Sequence, residues 1–505
     1  MDQPTKFARS WKIAATTLTG TAVFLAAAFA QNGAWLTHSH DEQHTALSTV
    51  AAQPLNSIHW HLPVDLSPPQ GEILIHYGSP LVTAANTVIV PVKTGTNSFR
   101  VEARDGATGV RVWVRNTDYQ APTADFTPGM GPTISGSQLF IPDIAGRVMV
   151  RQNPDQVSGT ISRLYFYGVK NFNADPTAYE QNVLIDTPLT ADANGNLFFG
   201  FLALGSTPLN LKSGLARISA TGVGAWVSAA ALSGDSSITE VSISCAPALS
   251  PDGSILYIVV DDGTAGYLLA VNSTTLSLIG KVRLTDPSSG LDAWIYSGSS
   301  ATPTVGPDGD VYFGVLENPF PNHNDRGWLL HFNSTLTRTK TPGSFGWDDT
   351  PSIVPASLVS RYKGHSSYLL MTKYNDYCGL GTGKGQNRIA ILDPDATEHD
   401  PILSATLVMK EVLTVLGPTA DAGCPGGVRE WCINTAAVDP VNKSILANSE
   451  DGHLYRWDLT TNQLTQIIKL STGIGEAYTP TVIGADGTAY AINQAVLDAV
   501  GSAPK

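Results

Sequence analysis

The 505-residue chain has no long uncharged apolar run past its first thirty residues, only four cysteines, and 30 Lys and Arg against 43 Asp and Glu. Each shortage excludes something. Without an apolar run there is no stable membrane span after the N-terminal segment. A net charge of −13 argues against nucleic acid, because phosphate backbones are held by clustered Lys and Arg. Cys245, Cys378, Cys424 and Cys432 have neither the CxxC spacing of a structural zinc site nor the CxxCH of covalent haem. In an oxidising compartment they can form disulfides in several ways; Cys378 with Cys424, both in longer loops, is favoured slightly over Cys245 with Cys432. No G-x-S-x-G elbow or Ser-His-Asp arrangement supports hydrolysis.

The exceptional segment is the first. Lys6, Arg9 and Lys12 precede the uncharged run Ile13 to Ala30, which closes on Ala28-Phe29-Ala30. That is the layout of a secretory signal peptide, and residues 1–30 are expected to be removed on export to the periplasm or beyond. Thr16, Thr17, Thr19, Gly20 and Thr21 weaken the run as a permanent anchor. No cysteine follows until Cys245, so no lipid-modified N-terminus is expected. Residues 31–70 read as a leader and a ring-closing strand, and 71–505 as one repeat domain.

The repeat is clearest at Thr302-Pro303-Thr304-Val305, a turn at Pro307-Asp308-Gly309, and Val311-Tyr312-Phe313. It recurs around Pro188, Pro247 and Pro480, and more weakly around Pro80, Pro132, Pro351 and Ala436. Asp-Gly and Asn-Gly between short apolar runs signal tight hairpins, since both turn residues tolerate positive φ. Eight near-regular units imply an all-β chain forming a single eight-bladed β-propeller of four-stranded antiparallel blades, with seven blades as the alternative. Little chain remains after Val500, so Ile58 to Leu66 is expected to supply the last blade's outer strand and close the ring. A monomer is expected.

Ala103, Asp105, Thr108, Gly109 and Trp113 fit A-x-D-x-x-T-G-x-x-x-W at every fixed position. Eroded copies stand at Trp457-Asp458-Leu459-Thr460-Thr461-Asn462 and at Ala270, Asn272 and Thr275. The pattern resembles the tryptophan-docking motif of quinoprotein alcohol dehydrogenase-like (PQQ-like) propellers of exported bacterial proteins. Trp35, Asp41, Thr45 and Ser48 resemble the leader before the first blade in that superfamily. The resemblance implies the fold, a turn between outer strands, and an indole wedged against the next blade. It makes pyrroloquinoline quinone and calcium possible, yet the adjacent-cysteine disulfide on which those enzymes stack the quinone is missing, and no catalytic residue is carried over.

Counting back from each repeat start predicts the channel lining, because alternate residues of a strand share a side. Two residues before the start stand Asp186, Cys245, Asp349, Asn434 and Tyr478; four before stand His76, Trp347, Cys432 and Glu476. Asp186, Asp349 and Glu476 could supply oxygens to a hard cation such as calcium, although a water-filled polar funnel is the commoner use of such a ring. Thr187, Thr302, Thr350, Thr435 and Thr479, just before the starts, read as blade-to-blade hydrogen bonding. The insertion at 373–387 holds a Gly-x-Gly-x-Gly run but lacks the Lys-Ser/Thr of a phosphate loop. It reads as a flexible loop over the mouth, offering Asn375 and Asp376, beside Glu430 in Glu430-Trp431-Cys432. His38, His40, Asp41 and His44 form a weak metal cluster in what reads as a flexible leader. The sequence therefore points to a non-catalytic binding or scaffold propeller for a protein, glycan or small-molecule ligand. The alternative is a quinone- and calcium-dependent oxidoreductase; a metal-using lyase or lactonase on the same ring is a third class.

Overall fold

A computed structural model describes residues 33–71, 75–124, 126, 129–296, 299, 301–473 and 477–503. The expected signal peptide and Glu476 lie outside them. The short apolar runs become antiparallel strands, and the strands form eight separate sheets arranged as an eight-bladed propeller. The innermost strands are Leu81–Val82, Thr133–Ser135, Thr190–Ala191, Ala248–Leu249, Thr304–Val305, Ser352–Pro355, Ala437–Asp439 and Val482–Ile483. Each begins within two residues of an expected repeat start, so the seven-bladed alternative falls. Gly253 and Gly309, in two of the Asp-Gly turns, take φ of 71° and 87°, which a side chain would disfavour. In the fifth blade the outermost position is held by isolated bridges from Thr339 to Phe332 and from Gly343 to Leu329.

Ring closure follows the expectation. Ser57–Pro63 pairs antiparallel with Val496–Gly501 as the outer strand of the eighth blade, so chain segments from both ends of the sequence share one sheet. Between blades, hydroxyls reach the next inner strand. Thr190 donates to the Pro247 carbonyl at 2.6 Å, Thr304 to Pro351 at 3.1 Å and Ser352 to Ala436 at 2.6 Å. Of the recurrent threonines, Thr350 accepts from the Thr302 amide at 3.0 Å and Thr479 donates to Tyr77 at 3.0 Å, both across blades.

The complete motif forms a side-chain-held turn and a contact to the next blade. Asp105 Oδ1 accepts from the amide and hydroxyl of Thr108 at 2.9 and 2.7 Å. Trp113 Nε1 donates to the Pro154 carbonyl of the second blade at 2.6 Å, and the Arg151 guanidinium lies 4.2 Å over its ring. Gly109 has φ of 70°, and a Cβ there would meet the Trp60 ring at 2.5 Å. The eroded copies keep the turn: Asp458 and Asn272 each accept from two following amides.

The leader corrects the expectation of flexibility. From Trp35 to Ser48 it curls once around the channel axis and caps the inner strands in order. The amides of Val82, Ile134, Leu249, Val305, Ile353 and Val438 donate to the carbonyls of Trp35, Leu36, Glu42, Gln43, Thr45 and Ala46 at 2.7–2.9 Å. Six blades thus complete their inner edge with the leader, and Thr37 reaches the Leu189 carbonyl of the third at 3.3 Å. The curl requires left-handed backbone at Ser39, His40, His44 and Ala46, a conformation that costs non-glycine residues about 1 kcal/mol each. Asp41 holds it, accepting from the Thr45 amide at 2.9 Å, from its hydroxyl, and from His40 Nδ1 at 3.0 Å. Trp35 is fully buried.

Candidate functional site at the channel mouth

The leader occupies the channel beside the inner strands, and the residues preceding those strands line the mouth. There a cavity of about 210 Å³ opens. Its walls come from the turn before the sixth blade (Trp347, Asp348), the inserted loop (Tyr377, Cys378, Leu380), the approach to the seventh blade (Glu430, Cys432) and the approach to the eighth (Tyr478). Phe126, Asp325 and Lys373 complete it. Tyr478 and His76, whose rings meet edge to face at 5.1 Å, continue inward to a second cavity lined by His38 and Ser244.

The inserted loop is tied down. Cys378 is bonded to Cys424 in the connection between the sixth and seventh blades. Gly385 makes room for that bridge, since a Cβ there would lie 2.7 Å from the Cys424 sulfur. Asn375 exchanges hydrogen bonds with the backbone of Trp431, and Asp376 accepts from the Asn324 amide group at 2.9 Å and the Lys384 amide at 3.0 Å. Both residues brace the loop, and neither is among those lining the cavity. Cys245 and Cys432 carry free thiols.

Of the residues expected at the mouth, Trp347, Glu430 and Tyr478 meet in this cavity together with Cys432. Asp349 does not join them. Asp348 takes φ of 50°, and that turn breaks the two-residue alternation on which the counting relied, putting Asp348 on the cavity. Asp349 instead accepts from the Thr372 hydroxyl, and burial pushes its carboxyl up to about 7. Asn434 lies deeper, donating to Thr350 at 3.1 Å and accepting from Thr435 at 2.6 Å. Asp186 is buried with neither carboxylate oxygen hydrogen-bonded, in space left by Gly200, whose Cβ would come within 2.4 Å of it. Burial and the neighbouring Glu240 and Asp261 carboxylates hold it well above its ordinary range. Its charged neighbours are therefore not those of Asp349, which are Lys373 and Asp348; Glu476 is outside the described residues.

The leader histidines are spoken for differently. His44 Nδ1 donates to the Pro303 carbonyl at 2.8 Å, and the His38 and His44 rings stand 5.7 Å apart. Burial pushes them down to about 3 and about 4. Among the described residues the three-residue group of metal-capable donors that converges is instead Glu430, Cys432 and Glu450.

Electrostatically the mouth is acidic. Burial, reinforced by Glu450, pushes Glu430 up to about 7; burial and Glu317 do the same for Asp325. The lysine on the cavity, Lys373, donates to the Asp348 carbonyl at 2.8 Å. Sequence reasoning missed Phe126, Asp325, Asp348 and Glu450, which stand at no fixed distance before an inner strand. Tyr377 and Lys373 lay inside the stretch that composition had marked as unusual.

Among solved structures the chain is similar to a europium-containing methanol dehydrogenase, with a TM-score of 0.54 and 11% identity over 91% of this chain and 89% of that one. It is also similar to the quinohemoprotein alcohol dehydrogenase of Comamonas testosteroni, with a TM-score of 0.53 and 12% identity over 94% and 82%. No protein-family model and no curated protein matches the sequence.

Proposed function

We propose that this chain, whose fold is the eight-bladed propeller of the quinoprotein alcohol dehydrogenases, is an exported, non-catalytic binding protein with its ligand seat in the mouth cavity. The observation that carries this reading is the cavity's make-up: Trp347, Tyr377 and Tyr478 beside Asp325, Asp348 and Glu430. Aromatic faces and carboxylates together favour a ligand that presents a positive group, a small molecule or the basic side chain of a protein.

The same make-up does not fit pyrroloquinoline quinone. That cofactor is a polycarboxylate, and this wall offers it three carboxyl groups and one lysine that already serves a carbonyl. The cysteines on the cavity, Cys378 and Cys432, are not adjacent and are not bonded to each other. The indole of Trp347 is on the cavity wall and offers a face on which a planar ring could stack. The binding reading is tested by titrating the purified protein with tetramethylammonium while following thermal stability. A ligand of the native state alone raises the melting temperature, and Trp347→Ala and Asp348→Asn are each expected to abolish that rise. No rise in the unsubstituted protein, or a rise that both variants keep, sinks the reading.

A further inference from the structure

Beside the mouth, three donor atoms of two kinds converge. A carboxylate oxygen of Glu430, the sulfur of Cys432 and a carboxylate oxygen of Glu450 all lie within 4.8 Å of one another. Cys432 Sγ stands 2.9 Å from Glu450 Oε2 and 3.7 Å from Glu430 Oε2. The other oxygen of Glu450 is taken by Arg429 at 3.3 Å, which fixes that carboxylate with Oε2 toward the sulfur. A thiol has one weakly donated proton, so it cannot serve both carboxyl groups, and the Glu450 charge repels a second charge on Glu430. A divalent cation among the three would remove that repulsion and bind all three donors.

A second, independent observation is access. Glu430 and Cys432 are themselves walls of the 210 Å³ cavity, so the point between the donors communicates with space large enough for an ion to enter and for a ligand to follow. The cysteine is also without a covalent use: Cys378 and Cys424 are bonded to each other, and Cys245 is a separate free thiol.

We propose that Glu430, Cys432 and Glu450 bind a single thiophilic divalent cation of the zinc type, with its remaining coordination position open to the mouth cavity. One thiolate with two carboxylates suits zinc and cobalt, whereas calcium and magnesium take oxygen donors. Three protein ligands and an open fourth position is the arrangement in which zinc accepts an exogenous donor. On binding, the Cys432 S–H proton is released to solvent and a metal–sulfur bond forms, with no change of oxidation state. The inference deepens the binding reading, since the cation would be the positive group seated on the acidic wall.

The test is a titration of chelator-treated full-length protein with cobalt(II), followed by the thiolate-to-cobalt charge-transfer absorption. One saturable equivalent is expected, displaced by zinc and not by calcium. Cys432→Ser should remove the band while Cys245→Ser keeps it, and Glu450→Gln should weaken binding by more than about tenfold. Absence of the band in the unsubstituted protein, or its survival in Cys432→Ser, overturns the inference. If Cys432→Ser does not fold, an unchanged affinity in Glu450→Gln and Glu430→Gln overturns it equally. Tetramethylammonium binding without any cobalt band would defeat the metal site and leave the binding reading intact.

Discussion

Asp498 lies on the third strand of the eighth blade, 3% exposed, with Oδ2 buried and unbonded. Burial pushes its carboxyl up to about 7 from an ordinary value of 3.8. A carboxyl raised on folding leaves stability whole below its unfolded pKa and loses it as pH rises through the folded one. Asp498→Asn, which cannot ionise, should therefore gain on the unsubstituted protein between about pH 4 and pH 8. Urea midpoints across that range check it; a difference independent of pH would show that the carboxyl is not raised. Residues of this kind were only partly legible. Trp347, Cys432 and Tyr478 could be placed at the mouth by counting, because short inner strands keep their period. Asp349 could not, because one left-handed residue at Asp348 reverses which side chain faces inward, and no glycine or asparagine marks it.

The elements themselves were far more legible. Proline at seven of the eight repeat starts and Asp-Gly or Asn-Gly after four of them are local signals with local physical causes, and all eight inner strands begin within two residues of the repeat starts. The docking motif was readable for the same reason, since its turn is made by the side chains of Asp105 and Thr108 themselves. The path of the leader was not. It depends on six backbone acceptors meeting amides in six blades, partners up to about four hundred positions away in sequence, and on positive φ at residues other than glycine. Each such hydrogen bond contributes roughly 1 kcal/mol net, so the curl should be worth several kcal/mol. A variant that lacks residues 33–48 and keeps the closing strand Ser57–Pro63 should melt well below the intact protein, and Trp35→Ala should lose about 3–5 kcal/mol. Unchanged melting in both would mean that the curl is ornamental to the fold.

At the scale of the molecule, a closed ring of blades fixes eight approaches to a common axis, and the leader takes the channel beside their inner strands. What is left for a ligand is the mouth, built by the segments the repeat regulates least: the turn at Trp347, the disulfide-tied loop and the approach to the seventh blade. The architecture alone leaves its use open, since one propeller supports many chemistries. The proposed seat for a positive group rests on the carboxyl groups and aromatic rings of that lining. The most direct measurement is a thermal-stability titration of the purified protein with pyrroloquinoline quinone and calcium. The binding account predicts no saturable shift at concentrations far above any physiological dissociation constant. A calcium-dependent, saturable rise in melting temperature that Trp347→Ala abolishes would contradict it and make the mouth a quinone site.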